Sequence, residues 1–71
     1  MLTWMDFGDG VWGCRTIGNT IFIIFFDANR KEGAYELFSS LSSIATSFHT
    51  TLEDAKYVAK QQLTRHFYMC Q

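Results

Sequence analysis

The stretch Ile21-Phe22-Ile23-Ile24-Phe25-Phe26 decides the fold of this chain. Six apolar residues, all β-branched or aromatic, stand between Asn19-Thr20 and Asp27. A run this short, made of these residue types, reads as a strand. Successive side chains of a strand point to opposite faces. Ile21, Ile23 and Phe25 therefore share one face, and Phe22, Ile24 and Phe26 share the other. Both faces are apolar and both need cover. A chain of 71 residues supplies a helix for one of them and is short of material for the second. The second face is left to a twin subunit, a partner or the chain's own loops.

Upstream, residues 11–17 read as a strand, with Gly13 a bulge or a place of close backbone approach. Gly18-Asn19 is a hairpin signal, since both residues tolerate positive φ. Residues 20–26 form the return strand. Gly8-Asp9-Gly10 marks a turn before the hairpin, and residues 2–6 offer a short additional strand. Downstream, residues 27–33 form a polar connection. Residues 34–48 are ambiguous. Ala34, Leu37, Phe38, Leu41, Ile44, Ala45 and Phe48 recur at helical spacing, yet five serines and Thr46 are mediocre helix formers. The alternative is a hairpin of residues 35–39 and 44–48, turning at 40–43. The last segment is the clearest helix. Thr51 is an N-cap with Asp54 three residues on, as in a capping box. Glu53 and Asp54 sit at the positive end of the helix dipole, and Arg65 and His66 near the negative end. Leu52, Ala55, Ala59, Leu63, His66, Phe67 and Cys70 trace one stripe. Phe48 is placed to pack back on the first turn as a staple.

Composition narrows the class. Apolar content of 48% and aromatic content of 17% are enough for a core and argue against a disordered tail. The formal net charge of −1, with Arg15, Arg30, Lys31, Lys56, Lys60 and Arg65 matched by seven acids, disfavours direct nucleic-acid binding, which needs a basic excess. The longest apolar run is far too short to span a membrane. Cys14 and Cys70 are preceded by no signal-peptide pattern and lack CxxC spacing. They read as reduced thiols of a cytoplasmic protein, with no zinc site.

Several residues together carry a resemblance. They are Trp4, Gly10-Val11-Trp12, the aromatic-rich run 21–26, Tyr35-Glu36-Leu37, and Phe48-His49-Thr50-Thr51-Leu52-Glu53-Asp54-Ala55-Lys56. This pattern resembles small phage and prophage proteins with a Thr-Leu-Glu-x-Ala-Lys helix start. It spans most of the chain. The resemblance implies a small antiparallel sheet backed by one helix, and so favours the hairpin for residues 34–48. By size and genre it also implies a protein that binds and blocks a host protein, anti-CRISPR proteins among them. The chain departs from the pattern in its second strand, where such proteins carry polar or charged residues.

The sequence holds no signature of chemistry. His49 and His66 are too far apart to act as a pair. His66 and Cys70, four apart on the helix, are the one candidate for an activated thiol, and a half-buried histidine over the end of the core is the plainer reading. Asp6 and Asp9 flank a turn, too few oxygens for calcium. Gly8-Asp9-Gly10 lacks the rest of a phosphate loop, and no Gly-x-Ser-x-Gly elbow is present. No catalytic residue, cofactor or metal is expected. Trp4, Trp12, Tyr35, Tyr57 and Tyr68 are the candidates for partner binding, because Trp and Tyr dominate binding hot spots.

The reading is an α+β domain of four antiparallel strands, with a fifth from residues 2–6, and one C-terminal helix across one face. Phe22, Ile24 and Phe26, or their alternates on the other side, line the face the helix does not reach. Leaving three such side chains in water forfeits about 1.5–3 kcal/mol each, so a homodimer through the sheet face or edge is expected. The expected function is a non-enzymatic binding protein of phage or mobile-element type that occludes a host protein, such as a CRISPR effector complex. A small nucleic-acid-associated regulator and a minor virion assembly protein are the alternatives.

Overall fold

The computed structural model describes residues 2–16 and 18–69, the side chains of 66–69 excepted. Five strands precede one helix: β1 (Met5–Gly8), β2 (Val11–Arg15), β3 (Ile21–Phe26), β4 (Tyr35–Ser39), β5 (Ser47–His49) and α1 (Leu52–Met69). The strands form one antiparallel meander in the order β1-β2-β3-β4-β5. The α+β class, with five strands and one C-terminal helix, is thus as the sequence implies.

Turn chemistry places the strand ends. Gly8, Asp9 and Gly10 all take positive φ (82°, 54° and 75°), which reverses the chain between β1 and β2. Glycine and aspartate are among the few residues that tolerate this region. The Asp6 carboxylate takes the Gly8 N–H at 2.8 Å and supports a register shift in β1. The first strand lies at 5–8 rather than 2–6. The β2–β3 connection is longer than a two-residue turn. The Thr16 N–H donates to the Thr20 carbonyl at 2.8 Å, and the Asn19 N–H to the Thr16 carbonyl at 3.3 Å. β2 therefore ends at Arg15 and β3 begins at Ile21.

The ambiguous segment 34–48 is a hairpin, not a helix. β4 pairs with β5 in the register Tyr35↔His49, Glu36↔Phe48, Leu37↔Ser47. The turn spans 40–46, so the second strand starts at Ser47 rather than Ile44. The Leu41 N–H donates to the Ser39 hydroxyl at 3.1 Å, and the Ile44 N–H to the Leu41 carbonyl, also at 3.1 Å. The serines serve as turn formers, as their competition for backbone groups predicts.

The helix begins where its cap says. The Asp54 N–H donates to the Thr51 hydroxyl at 3.0 Å, and the Ala55 N–H to the Thr51 carbonyl at 3.1 Å. Ala55 and Ala59 are fully buried, and their size lets α1 lie close on the sheet, over β3, β4 and β5. The core comprises these alanines with Cys14, Phe22, Ile24 and Leu37. Leu2, Trp4, Trp12, Tyr35, Ile44, Leu52, Val58 and Leu63 pack around it. Val58 joins this set beside the expected stripe. The side chains of His66, Phe67 and Cys70, also assigned to the stripe, lie outside the described residues. Among the described residues no buried side-chain nitrogen or oxygen lacks a hydrogen-bond partner. No helix among them is long and apolar enough to cross a membrane.

Candidate functional site

One face of the sheet is taken by α1 and the other is open. Cross-strand partners in an antiparallel pair point to the same side, so register maps the two faces. Phe22 and Ile24 are fully buried under the helix with their partners Cys14 and Leu37. This corrects the expectation that Phe22, Ile24 and Phe26 line the uncovered face. The helix took that side. Phe26, at its end, is half exposed beyond the helix and packs on Tyr35 with ring centroids 5.0 Å apart.

The open face belongs to the alternates. Its rows are Arg15 and Ile21; then Met5, Gly13, Ile23 and Phe38; then Val11, Phe25, Glu36 and Phe48. Met5, Phe7, Phe25, Phe38 and Phe48 are 62%, 63%, 41%, 43% and 45% exposed. The Phe7 ring lies over Gly13, so close that a Cβ there would stand 2.6 Å from its Cε2. The glycine thus makes room for an aromatic ring, and the notional bulge at Gly13 is a close approach instead. A depression of about 560 Å³ opens beside this ring, lined by Met5, Phe7, Gly13, Arg15, Ile21 and Ile23 among others. At the rim the Arg30 guanidinium sits 3.9 Å from the centre of the Phe48 ring. Phe48 therefore caps the open face and does not staple the helix.

A surface this apolar is unusual for a monomer, whose single exposed apolar residues are ordinarily scattered. The sheet edges show the opposite character. β1 is irregular in register and β5 has three residues. Both features blunt edge-to-edge pairing.

The partner-binding candidates do not form one patch. Trp12 and Tyr35 are half-buried on the helix side, their ring centroids 6.0 Å apart, and serve packing. Trp4 and Tyr57 line a second depression of about 530 Å³, with Leu2, Glu53, Lys56 and Lys60. The Tyr57 hydroxyl accepts a bond from Gln61 Nε2 at 2.7 Å. The Tyr68 side chain lies outside the described residues.

One constellation escaped the sequence reading. His49 Nδ1 lies 3.1 Å from Asp54 Oδ2, and Nε2 lies 2.7 Å from Ser47 Oγ. An ionised carboxylate only accepts. Nδ1 is therefore the donor, and in the neutral ring Nε2 accepts the Ser47 hydroxyl. The Ser–His–Asp connectivity is that of hydrolase triads. Its contacts tie β5 to the first turn of α1. Asp54 spends its carboxylate here, and its backbone N–H on the cap. The signal was present in Ser-x-His on one strand face followed by Asp at a helix start. It gains meaning only once the chain turns back at residues 50–51.

Burial pushes the Cys14 thiol above its ordinary range, because the thiolate would be desolvated. It is an inert thiol of the core, free of any disulfide. Among the described residues no group of three or more His, Cys, Asp or Glu is placed to hold a metal.

Compared with known proteins, the chain matches no family model, no curated protein and no solved structure.

Proposed function

We propose that this is a non-enzymatic binding protein and that the open face of its sheet is the working surface. One observation carries the reading: five large apolar side chains, each more than two-fifths exposed, stand together on one face. A polypeptide that buries Phe22 and Ile24 completely yet keeps their neighbours wet is built to make contact there. The partner class is protein, because an aromatic and aliphatic face with one charge of each sign on its strands, and Arg30 at its rim, offers little to phosphate. On the resemblance to small phage proteins, the partner is a host protein that this face occludes, a CRISPR effector complex being one concrete target. Affinity capture from host lysate with the wild type and with Phe25→Ser/Phe38→Ser tests it. A partner held by the wild type should be lost by the variant. Equal capture by both would remove the face from the mechanism.

A second reading has one observation in its favour. Trp4, Tyr57, Lys56 and Lys60 line a single groove, the mix of aromatic and basic groups that single-stranded nucleic acid uses. Glu53 in the same groove opposes it. A low-salt mobility-shift titration decides. Binding that Tyr57→Ala weakens would support this regulator, and no shift at micromolar protein would dismiss it.

A further inference from the structure

We infer that the occupant of the open face is a second copy of this chain, stacked sheet on sheet about a two-fold axis that crosses the two sets of strands steeply. The inference rests on the reading of that face as a protein-binding surface and sets a second copy there in the free protein, which a host protein would displace. Area, edges and charge each point to it.

The area is sufficient. With about 200 Å² for a large apolar side chain, the exposed parts of Met5, Phe7, Phe25, Phe38 and Phe48 amount to about 500 Å² per copy. Two copies then bury up to about 1,000 Å², the lower bound for a specific interface. Half-buried Val11, Ile21 and Ile23 add to it. The edges direct the contact to the face, since β1 is irregular and β5 is three residues long.

The charges set the geometry. Register places two charged strand residues on this face, Arg15 on β2 and Glu36 on β4, while Arg30 at the rim already lies over the Phe48 ring. Among the described residues neither has an ion-pair partner within the protomer. They stand at opposite corners about Ile23. Arg15 lies one strand to one side and two residues toward one end, and Glu36 one strand to the other side and two residues toward the other end. With strands about 4.8 Å apart and a rise of about 3.4 Å per residue, each is about 8 Å from Ile23 across the sheet. A two-fold axis between the sheets, passing over Ile23 at right angles to this diagonal, carries Arg15 onto the partner's Glu36 and Glu36 onto the partner's Arg15. Two ion pairs form by symmetry. An axis along the strands sets Arg15 over the partner's Ser40, and an axis across them sets it over the partner's Val11. Both leave four charges against a sheet without partners, which costs several-fold in affinity for each. This axis lies about 55° from the strands and makes the two sets of strands cross at about 70°, near the orthogonal class of sheet packing. Ile23 lies at the centre, where hot spots gather.

Sedimentation of the full chain across a concentration series tests this, with circular dichroism confirming that each variant is folded. The expected species is twice the 8.2 kDa protomer mass. Arg15→Glu and Glu36→Arg should each weaken dimerisation by about tenfold or more. Arg15→Glu/Glu36→Arg together should recover it to within about threefold, because the pairs re-form with signs exchanged. A dimer indifferent to the single changes, or one that the double change does not restore, overturns the proposed packing. A wild-type monomer at about 1 mM overturns the second copy altogether, since a specific interface holds at that concentration. If that monomer loses a captured protein on Phe25→Ser/Phe38→Ser, the contact reading survives and only the occupant was wrong. If capture is unchanged as well, both fail.

Discussion

Phe22 and Phe25 are the same residue type three positions apart on one strand, and their surroundings differ completely. Phe22 is sealed between sheet and helix; Phe25 is two-fifths exposed on the open face. Phe22→Ala removes a ring from a core that cannot collapse to fill the space, at about 3–5 kcal/mol. A 71-residue chain holds only about 4–11 kcal/mol in total, so this variant should lose about half of its stability and unfold at a much lower urea concentration. Phe25→Ser should shift stability by about 1 kcal/mol or less in dilute protein. Urea titrations of the two variants measure the contrast, and similar midpoints would mean the faces are wrongly assigned. Cys14 gives a pH-dependent prediction. Its folded-state pKa is raised by desolvation, so the native thiol keeps its proton after the unfolded chain, ionising near about pH 8.5, has lost its own. The thiol's contribution is whole below that pH. It declines as pH rises from there toward the folded-state pKa. Thermal melts from about pH 7 to 9.5 should show wild type losing stability relative to Cys14→Ala.

At the scale of elements, the weakest piece is β5, three residues at a sheet edge. Its attachment to α1 runs through His49, which reaches Asp54 and Ser47 at once. His49→Ala removes both bonds and should cost about 1–2 kcal/mol, less than a buried charged bond because Asp54 is half exposed. Hydrogen exchange should quicken in β5 and the first turn of α1 while β2 and β3 stay protected. Uniform loss across the sheet would show that the tie is not local. The segment 34–48 shows how local pattern and tertiary pairing part company. Leu37 and Phe38 satisfy a helical stripe on paper, yet on β4 they point to opposite faces, one buried and one open. Helical spacing is blind to that alternative. The capped helix was different: Thr51, Glu53 and Asp54 announce it through local chemistry alone, and it starts at Leu52 as that chemistry requires.

For the whole molecule, the proposed dimer links stability to concentration. Assembly that binds only folded protomers raises the melting temperature as protein concentration rises. A tenfold increase in concentration should lift the wild-type midpoint by a few degrees, since about 1.4 kcal/mol per dimer is about 0.7 kcal/mol per protomer, worth about 3–6 °C in a domain this small. The Phe25→Ser/Phe38→Ser variant should melt at one temperature throughout. A concentration-independent wild-type midpoint would count against association. The same variant should also be the more soluble, because it breaks the apolar window of β3 on its exposed side.

The amino-acid order alone determined that residues 21–26 form a strand, that residues 51 onward form a helix, and that a lid for one face leaves another uncovered. Those conclusions rest on short-range sterics and on the amount of apolar material, which a linear chain displays. Which face the helix would cover was not written there, because Ile21, Ile23 and Phe25 are as apolar as Phe22, Ile24 and Phe26. Cross-strand neighbours decided it. On one side lie Cys14, Ser39 and Ser47 together with Trp12, Leu37 and Tyr35, small and large neighbours against which a helix with Ala55 and Ala59 packs. On the other stand Arg15 and Glu36, whose charges a helix of this chain would have to strip of water.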